Sequence, residues 1–135
     1  MSRSGYSDDC ENVALWRAAV DSAILGRRGQ VFMRRLRDAL DAMPSKRLIT
    51  GEIATDDGVC ALGSVDPMCR IDPYDREAIG QHFGIAPAMA AEIAYINDED
   101  GRAEWETPEE RWTRMRAWVD KQIAADDEAD PRPGA

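Results

Sequence analysis

Histidine and cysteine are scarce in this chain. There is one histidine, His82, and three cysteines, Cys10, Cys60 and Cys69, with no Cys-x-x-Cys pair among them. An odd number of unpatterned thiols does not make a disulfide framework and fits reduced cysteines. A zinc site built from Cys10, Cys60, Cys69 and His82 is not expected, because paired cysteine spacing is the usual signature of such sites. Long apolar runs are missing too, and none approaches the roughly 20 residues of a membrane span. The start, MSRSGYSDD, has no apolar stretch behind a basic one, so no signal peptide is visible and the chain is read as cytoplasmic. There is no glycine loop of the kind that cradles phosphate. With a single histidine, acid–base chemistry would rest on carboxylates. A Cys60–His82 nucleophile pair would need a local group to activate the thiol, and none adjoins it in the sequence. No catalytic residue, cofactor or metal is expected, and the chain is read as a non-enzyme.

The 135 residues, 44% hydrophobic and 32% charged, make one ordinary globular domain. The net charge of −9 is unevenly spread. From Arg27 to Arg47 seven basic residues face Asp38 and Asp41, a local +5; from Glu92 to Glu110 eight acids face Arg102 alone, a local −7. An acidic chain is repelled by phosphate backbones unless its basic residues gather on one face.

Apolar residues Val13, Leu15, Trp16, Ala19, Val20, Ala23 and Ile24 recur at helical spacing and predict a first helix ended by Gly26. A second is predicted over Gln30–Met43, with Val31, Phe32, Leu36, Ala39, Leu40 and Met43 inward and Pro44 as the stop. Arg34, Arg35, Asp38 and Asp41 lie on its opposite face, where Arg34–Asp38 and Arg37–Asp41 are spaced as i,i+4 pairs. Asp57-Gly58 between β-branched residues predicts a hairpin, with strands over Leu48–Ala54 and Gly58–Ala61; alternatively a short helix begins within Cys60–Val65. Helices over Asp75–Phe83 and from Pro87 to about Asn97 follow.

The final helix is the best signalled. Thr107 stands as N-cap, Pro108 at the first helical position and Glu110 three residues after the cap, which is the capping-box pattern. The expected fold is mainly α with one small β-hairpin packed on the first two helices, a single domain of about five helices. Residues 1–124 are assigned to that domain and 125–135 to a disordered acidic tail by composition.

Two motifs require a decision. Ile79, Phe83, Ile85, Ala90 and Ile93 around Gly84 have the spacing of a helix-turn-helix, the alternative function being a DNA-binding transcriptional regulator. The second helix of that pair nevertheless offers Ala86, Pro87, Ala88, Ala91 and Glu92, with no basic residue before Arg102, so it lacks base-reading and phosphate-gripping chemistry. A calcium loop centred on Gly101 would put Ile96 at its first ligand position and Thr107 at its twelfth, where acids are required.

The blocks MSRSGYSDD, LWRAAVDSAILGRRGQ, KRLITGEI, GVCALGSV, AAEIAYINDED and ETPEERWTRMRAWV together resemble a set of small proteins carried in phage and prophage genomes, over about Met1 to Ile123. The resemblance implies a cytoplasmic protein made by a mobile element in a bacterial host cell, and it implies no catalytic residue. By analogy with accessory proteins of that size and acidity, including anti-CRISPR inhibitors, binding of a host protein with a basic surface is expected. Glu92, Asp98, Glu99, Asp100, Glu104 and Glu106 would supply the docking charge and Trp105 an aromatic anchor. An alternative contact is basic, through Arg27, Arg28, Arg34 and Arg35.

Overall fold

In the computed structural model, six helices and one two-stranded antiparallel hairpin are found among the described residues, 13–99 and 105–124. Their order is α1 (Val13–Leu25), α2 (Arg27–Ala42), β1 (Ala54–Thr55), β2 (Gly58–Val59), α3 (Ala61–Val65), α4 (Arg76–Phe83), α5 (Pro87–Asp98) and α6 (Pro108–Gln122). The architecture is the small α+β domain expected. No helix of the described residues is long and apolar enough to cross a membrane. The proposed tail over 125–135 lies outside the described residues.

Helix α2 is the most strongly amphipathic element, and it buries Phe32, Met33, Leu36 and Leu40 against α1, α3 and α6. Three residues of the predicted apolar stripes are outward: Val31 is 60% and Leu15 70% exposed, and Ala19 is exposed as well. Periodicity places them on the edge of an apolar stripe, and no neighbouring helix among the described residues covers that edge. Helix α5 is central and packs on α1, α3, α4 and α6. It buries Met89, Ala90, Ala91, Glu92, Ile93, Ala94, Ile96 and Asn97, which is nearly its whole circumference.

The α1–α2 corner is tied by Gln30, which is buried. Its Nε2 donates to the carbonyls of Ile24 and Gln122, both at 2.9 Å, and its Oε1 accepts from the Ala124 amide at 2.9 Å. One amide side chain thereby satisfies the open carbonyls at the ends of α1 and α6. The i,i+4 pairs predicted on α2 give way to other contacts. Asp41 is gripped by Arg116 of α6 at 2.7 and 3.1 Å, Arg37 turns to Asp38, and Arg34 Nη2 donates to the Ala124 carbonyl. The Arg116 guanidinium holds the Asp41 carboxyl below its ordinary range.

The hairpin is shorter than its sequence suggests, two residues on each side. Gly51, at φ +82°, turns the chain away from an extended path, and outside the two-residue ladder Ile49 N donates to Val59 O and Cys60 N to Ile53 O. The hairpin's principal neighbour is α3, which in turn lies on α2. The short helix allowed for within Cys60–Val65 is present as α3.

At α6 the capping box forms as expected: Glu110 N donates to Thr107 Oγ1 at 3.0 Å, and Thr107 N donates to Glu110 Oε1 at 2.9 Å. Replacing Thr107 by Ala removes one of these bonds from an exposed cap and should cost about 1 kcal/mol. Thermal melting of the variant tests this; an unaltered melting temperature would show that the cap does not support the helix.

Candidate functional site

Three surface features collect the chemistry-bearing side chains. The first is an acidic corner at the C-terminal end of α5. There Arg114, from α6, donates through Nη1 to the Ile96 carbonyl at 2.7 Å and through Nη2 to that of Asn97 at 3.2 Å. A cation at a helix C-terminus satisfies open carbonyls and meets the negative end of the dipole. The Glu106 carboxylate clasps the same guanidinium at 2.6 and 2.9 Å, and Arg111 Nε lies 3.5 Å from Glu106 Oε1. The hydrogen bond from Arg114 keeps the Glu106 carboxyl below its ordinary range, outweighing its partial burial.

This clasp pins the chain just before α6 to the end of α5. Trp105, one residue away, is held out at 78% exposure. Asp98 and Glu99 belong to the same corner. Asp98 Oδ1 accepts from Gly51 N at 3.3 Å and from Asn97 Nδ2 at 2.8 Å, which draws the loop bearing exposed Glu52 alongside. Glu99 is an exposed C-cap whose amide donates to the Tyr95 carbonyl.

Two of the acids assigned to docking are placed elsewhere. Glu92 is 3% exposed, and its Oε1 accepts from Arg17 Nη1 at 2.9 Å, so it balances an arginine of α1. Glu106 is enclosed by Arg111 and Arg114, with only 7% of its side chain exposed. Both are corrected to structural ion pairs, because each met a basic partner on another part of the fold. Asp100 and Glu104 lie outside the described residues. Of the flanking acids, Glu109 pairs with Arg47 at 3.0 Å and Glu110 closes the capping box.

The second feature is basic. Arg27, Arg28 and Arg35 line a cleft of about 230 Å³ whose apolar wall includes Val31, Phe32 and Phe83. Phe32 and Phe83 meet edge to face, with ring centroids 5.8 Å apart, and so join α2 to α4 at its base. Arg34, assigned to the same basic contact, is turned to the Ala124 carbonyl and does not line this cleft.

The third feature was only half legible in the sequence. Asp66, Cys69 and His82 bring one potential metal-ligating atom each to within 4.8 Å of one another. His82 Nε2 is 2.7 Å from Asp66 Oδ2, and that bond holds the Asp66 carboxyl below its ordinary range. The sequence offers Cys69 and His82 as candidate ligands, and the fold adds Asp66. In the sequence, the Asp66-x-x-Cys69 spacing is the signal for this third group, and it lies outside the paired-cysteine pattern. Cys60, weighed beside them, is fully buried in the core, and Cys10 lies outside the described residues.

The helical pair α4–α5 turns at Gly84, at φ +73°, as a helix-turn-helix would. Its second helix, however, is the most enclosed of the described helices, with eight of its 12 residues buried. Ile96 and Thr107, the end positions of the calcium loop considered above, are a buried apolar residue and the α6 N-cap.

Compared with protein-family models, curated proteins and solved structures, the chain matches none. The fold and its surfaces define a class: a small helical domain with an acidic corner carrying an exposed tryptophan and, apart from it, a basic cleft.

Proposed function

We propose that this chain is a small acidic accessory protein of phage or prophage type that acts without catalysis by docking on a basic surface of a host protein. The partner's chemistry follows from the acidic corner: a nucleic-acid-binding protein, in this reading a defence component, whose phosphate-binding groove the corner would cover as anti-CRISPR inhibitors do. The observation that carries the reading is Trp105. An indole exposed at 78% is costly to leave in water, and here it stands on backbone pinned through Glu106 and Arg114, with Asp98 and Glu99 nearby. A rigid aromatic anchor within a charged rim is the usual composition of a binding hot spot. The acids would steer association, and salt would weaken that steering.

The test is retention of host proteins on the immobilised chain, with elution by rising salt. The expected result is a nucleic-acid-binding protein that DNA or RNA displaces. A chain carrying both Trp105→Ala and Glu99→Lys should bind it at least about tenfold more weakly, the scale of a lost hot spot, with a nearly unchanged melting curve. Equal binding by the double variant, or a partner whose contacted surface is not basic, would end this reading.

The alternative, a helix-turn-helix regulator, has the Gly84 turn in its favour and the burial of α5 against it. In the same experiment, mixed duplex DNA at low salt should not be retarded by the chain. A salt-sensitive complex lost on Arg34→Ala and Arg35→Ala would favour the regulator instead.

A further inference from the structure

We propose that Asp66, Cys69 and His82 form a three-ligand site for a divalent transition-metal ion of the zinc type, independent of the docking surface. The three come from two places in the fold. Asp66 and Cys69 sit on the turn that follows α3, and His82 lies in the last turn of α4. The turn is closed by the Cys69 amide donating to the Asp66 carbonyl at 3.1 Å. The Met68 amide meanwhile donates to Asp66 Oδ1 at 3.1 Å. One carboxylate oxygen is therefore held by backbone, while Oδ2 is aimed at His82 Nε2. An outer hydrogen bond of this kind orients a ligating carboxylate before a metal arrives.

The distances suit a tetrahedral ion after small side-chain rotations. Zinc bonds of about 2.0–2.2 Å to nitrogen and oxygen and about 2.3 Å to sulfur set neighbouring ligand atoms roughly 3.3–3.6 Å apart. The three atoms here fall within 4.8 Å, with nitrogen and oxygen at 2.7 Å. The ion would push the last two apart by about half an ångström and draw the thiol in by no more than about one. Imidazole, thiolate and carboxylate together favour zinc or cobalt over magnesium or calcium, which prefer oxygen alone. Thiolate and carboxylate also balance the ion's two charges.

Burial settles which kind of site this is. Cys69 is 4% exposed, whereas the side chains of Asp66 and His82 are 35% and 39% exposed. The thiol approaches from the protein side and the other two form the mouth. The fourth position faces solvent, as in sites that bind water or an exchangeable ligand rather than closed structural sites. Arg35 lies near enough to Asp66 to act on its charge, and a cation there opposes a bound metal ion. Without metal, the same groups make a histidine–carboxylate hydrogen bond beside a buried thiol.

The decisive probe is cobalt(II) added to the chelator-treated chain, followed by competition with zinc. Binding of one ion per chain should produce a thiolate-to-cobalt charge-transfer band and the intense visible bands of four-coordinate cobalt, both abolished by zinc. His82→Ala and Cys69→Ser should each weaken binding by at least about tenfold, since even outer-shell changes have effects of that size. Cys60→Ser should leave binding unaltered. Because His82 is at the surface, His82→Ala keeps the test decisive if Cys69→Ser fails to fold. The absence of a thiolate band, its persistence in Cys69→Ser, or full affinity in His82→Ala would each overturn the proposal.

Discussion

Asn97→Ala should lower the folding free energy by about 3 kcal/mol, as the loss of a partner from one buried and one partly buried backbone group implies. Asn97 is fully buried near the C-terminal end of α5. Its Oδ1 accepts from the Ala61 amide at 3.1 Å, and its Nδ2 donates to the Ile49 carbonyl at 2.9 Å and to Asp98 Oδ1 at 2.8 Å. The Ala61 amide belongs to the first residue of α3, whose N-cap, Cys60, makes no side-chain capping bond. Asn97 thus performs, from 36 residues away, the task an N-cap performs locally. Alanine would leave a buried amide and the Ile49 carbonyl without this partner, together with a small void. Urea denaturation with an unchanged slope should report the loss as a shift in midpoint. A loss below about 1 kcal/mol would mean that water or a shifted backbone replaces the amide.

Gly29→Ala should also destabilise the fold by about 3 kcal/mol, at the upper end of overpacking costs. By helix propensity alone the sign would be opposite, since alanine in place of glycine in a helix gains about 1 kcal/mol. Geometry reverses it. A Cβ on Gly29 would stand 2.0 Å from the Ala23 carbonyl oxygen and 2.6 Å from that of Ile24. Both are backbone atoms of the last turns of α1, so no flexible side chain can give way. The α1–α2 corner would have to open, and the Gln30 bridge from α1 to α6 would open with it. Thermal melting of Gly29→Ala decides the matter. A gain in stability would show that the corner widens freely and that propensity governs here.

These two positions mark where reading by sequence stopped. The Gly26–Gly29 stretch reads as a link because glycine is a helix stop, yet α2 already begins at Arg27. What Gly29 provides is close approach between two helices, a property of the pair and not of the segment. Asn97 reads as one polar residue at the end of an apolar helix. Its partners at Ile49 and Ala61 lie on the segment before β1 and on α3.

The candidate surfaces divide in the same way. A local charge of −7 is a count along the chain and does not say where the acids point. Glu92 found Arg17, 75 residues away in sequence, and Glu106 found Arg114, so both left the surface on which the count had placed them. Asp98, Glu99 and Trp105 remained, gathered at the end of α5. Asp66 joined Cys69 and His82 only because the loop after α3 returns to the last turn of α4.

By itself the sequence determined what depends on neighbours within about four residues. That covers the capping box from Thr107 to Glu110, the stop at Pro44, the αL turn at Gly84, and the helical character of most of the chain. These rest on backbone sterics and on hydrogen bonds closed inside one turn. Only the tertiary structure decided which flank of each apolar stripe is covered, which charges are consumed in pairs, and which distant side chains share a site. Each of those is set by packing between segments far apart in the chain, and a helical period specifies a face without specifying what lies against it.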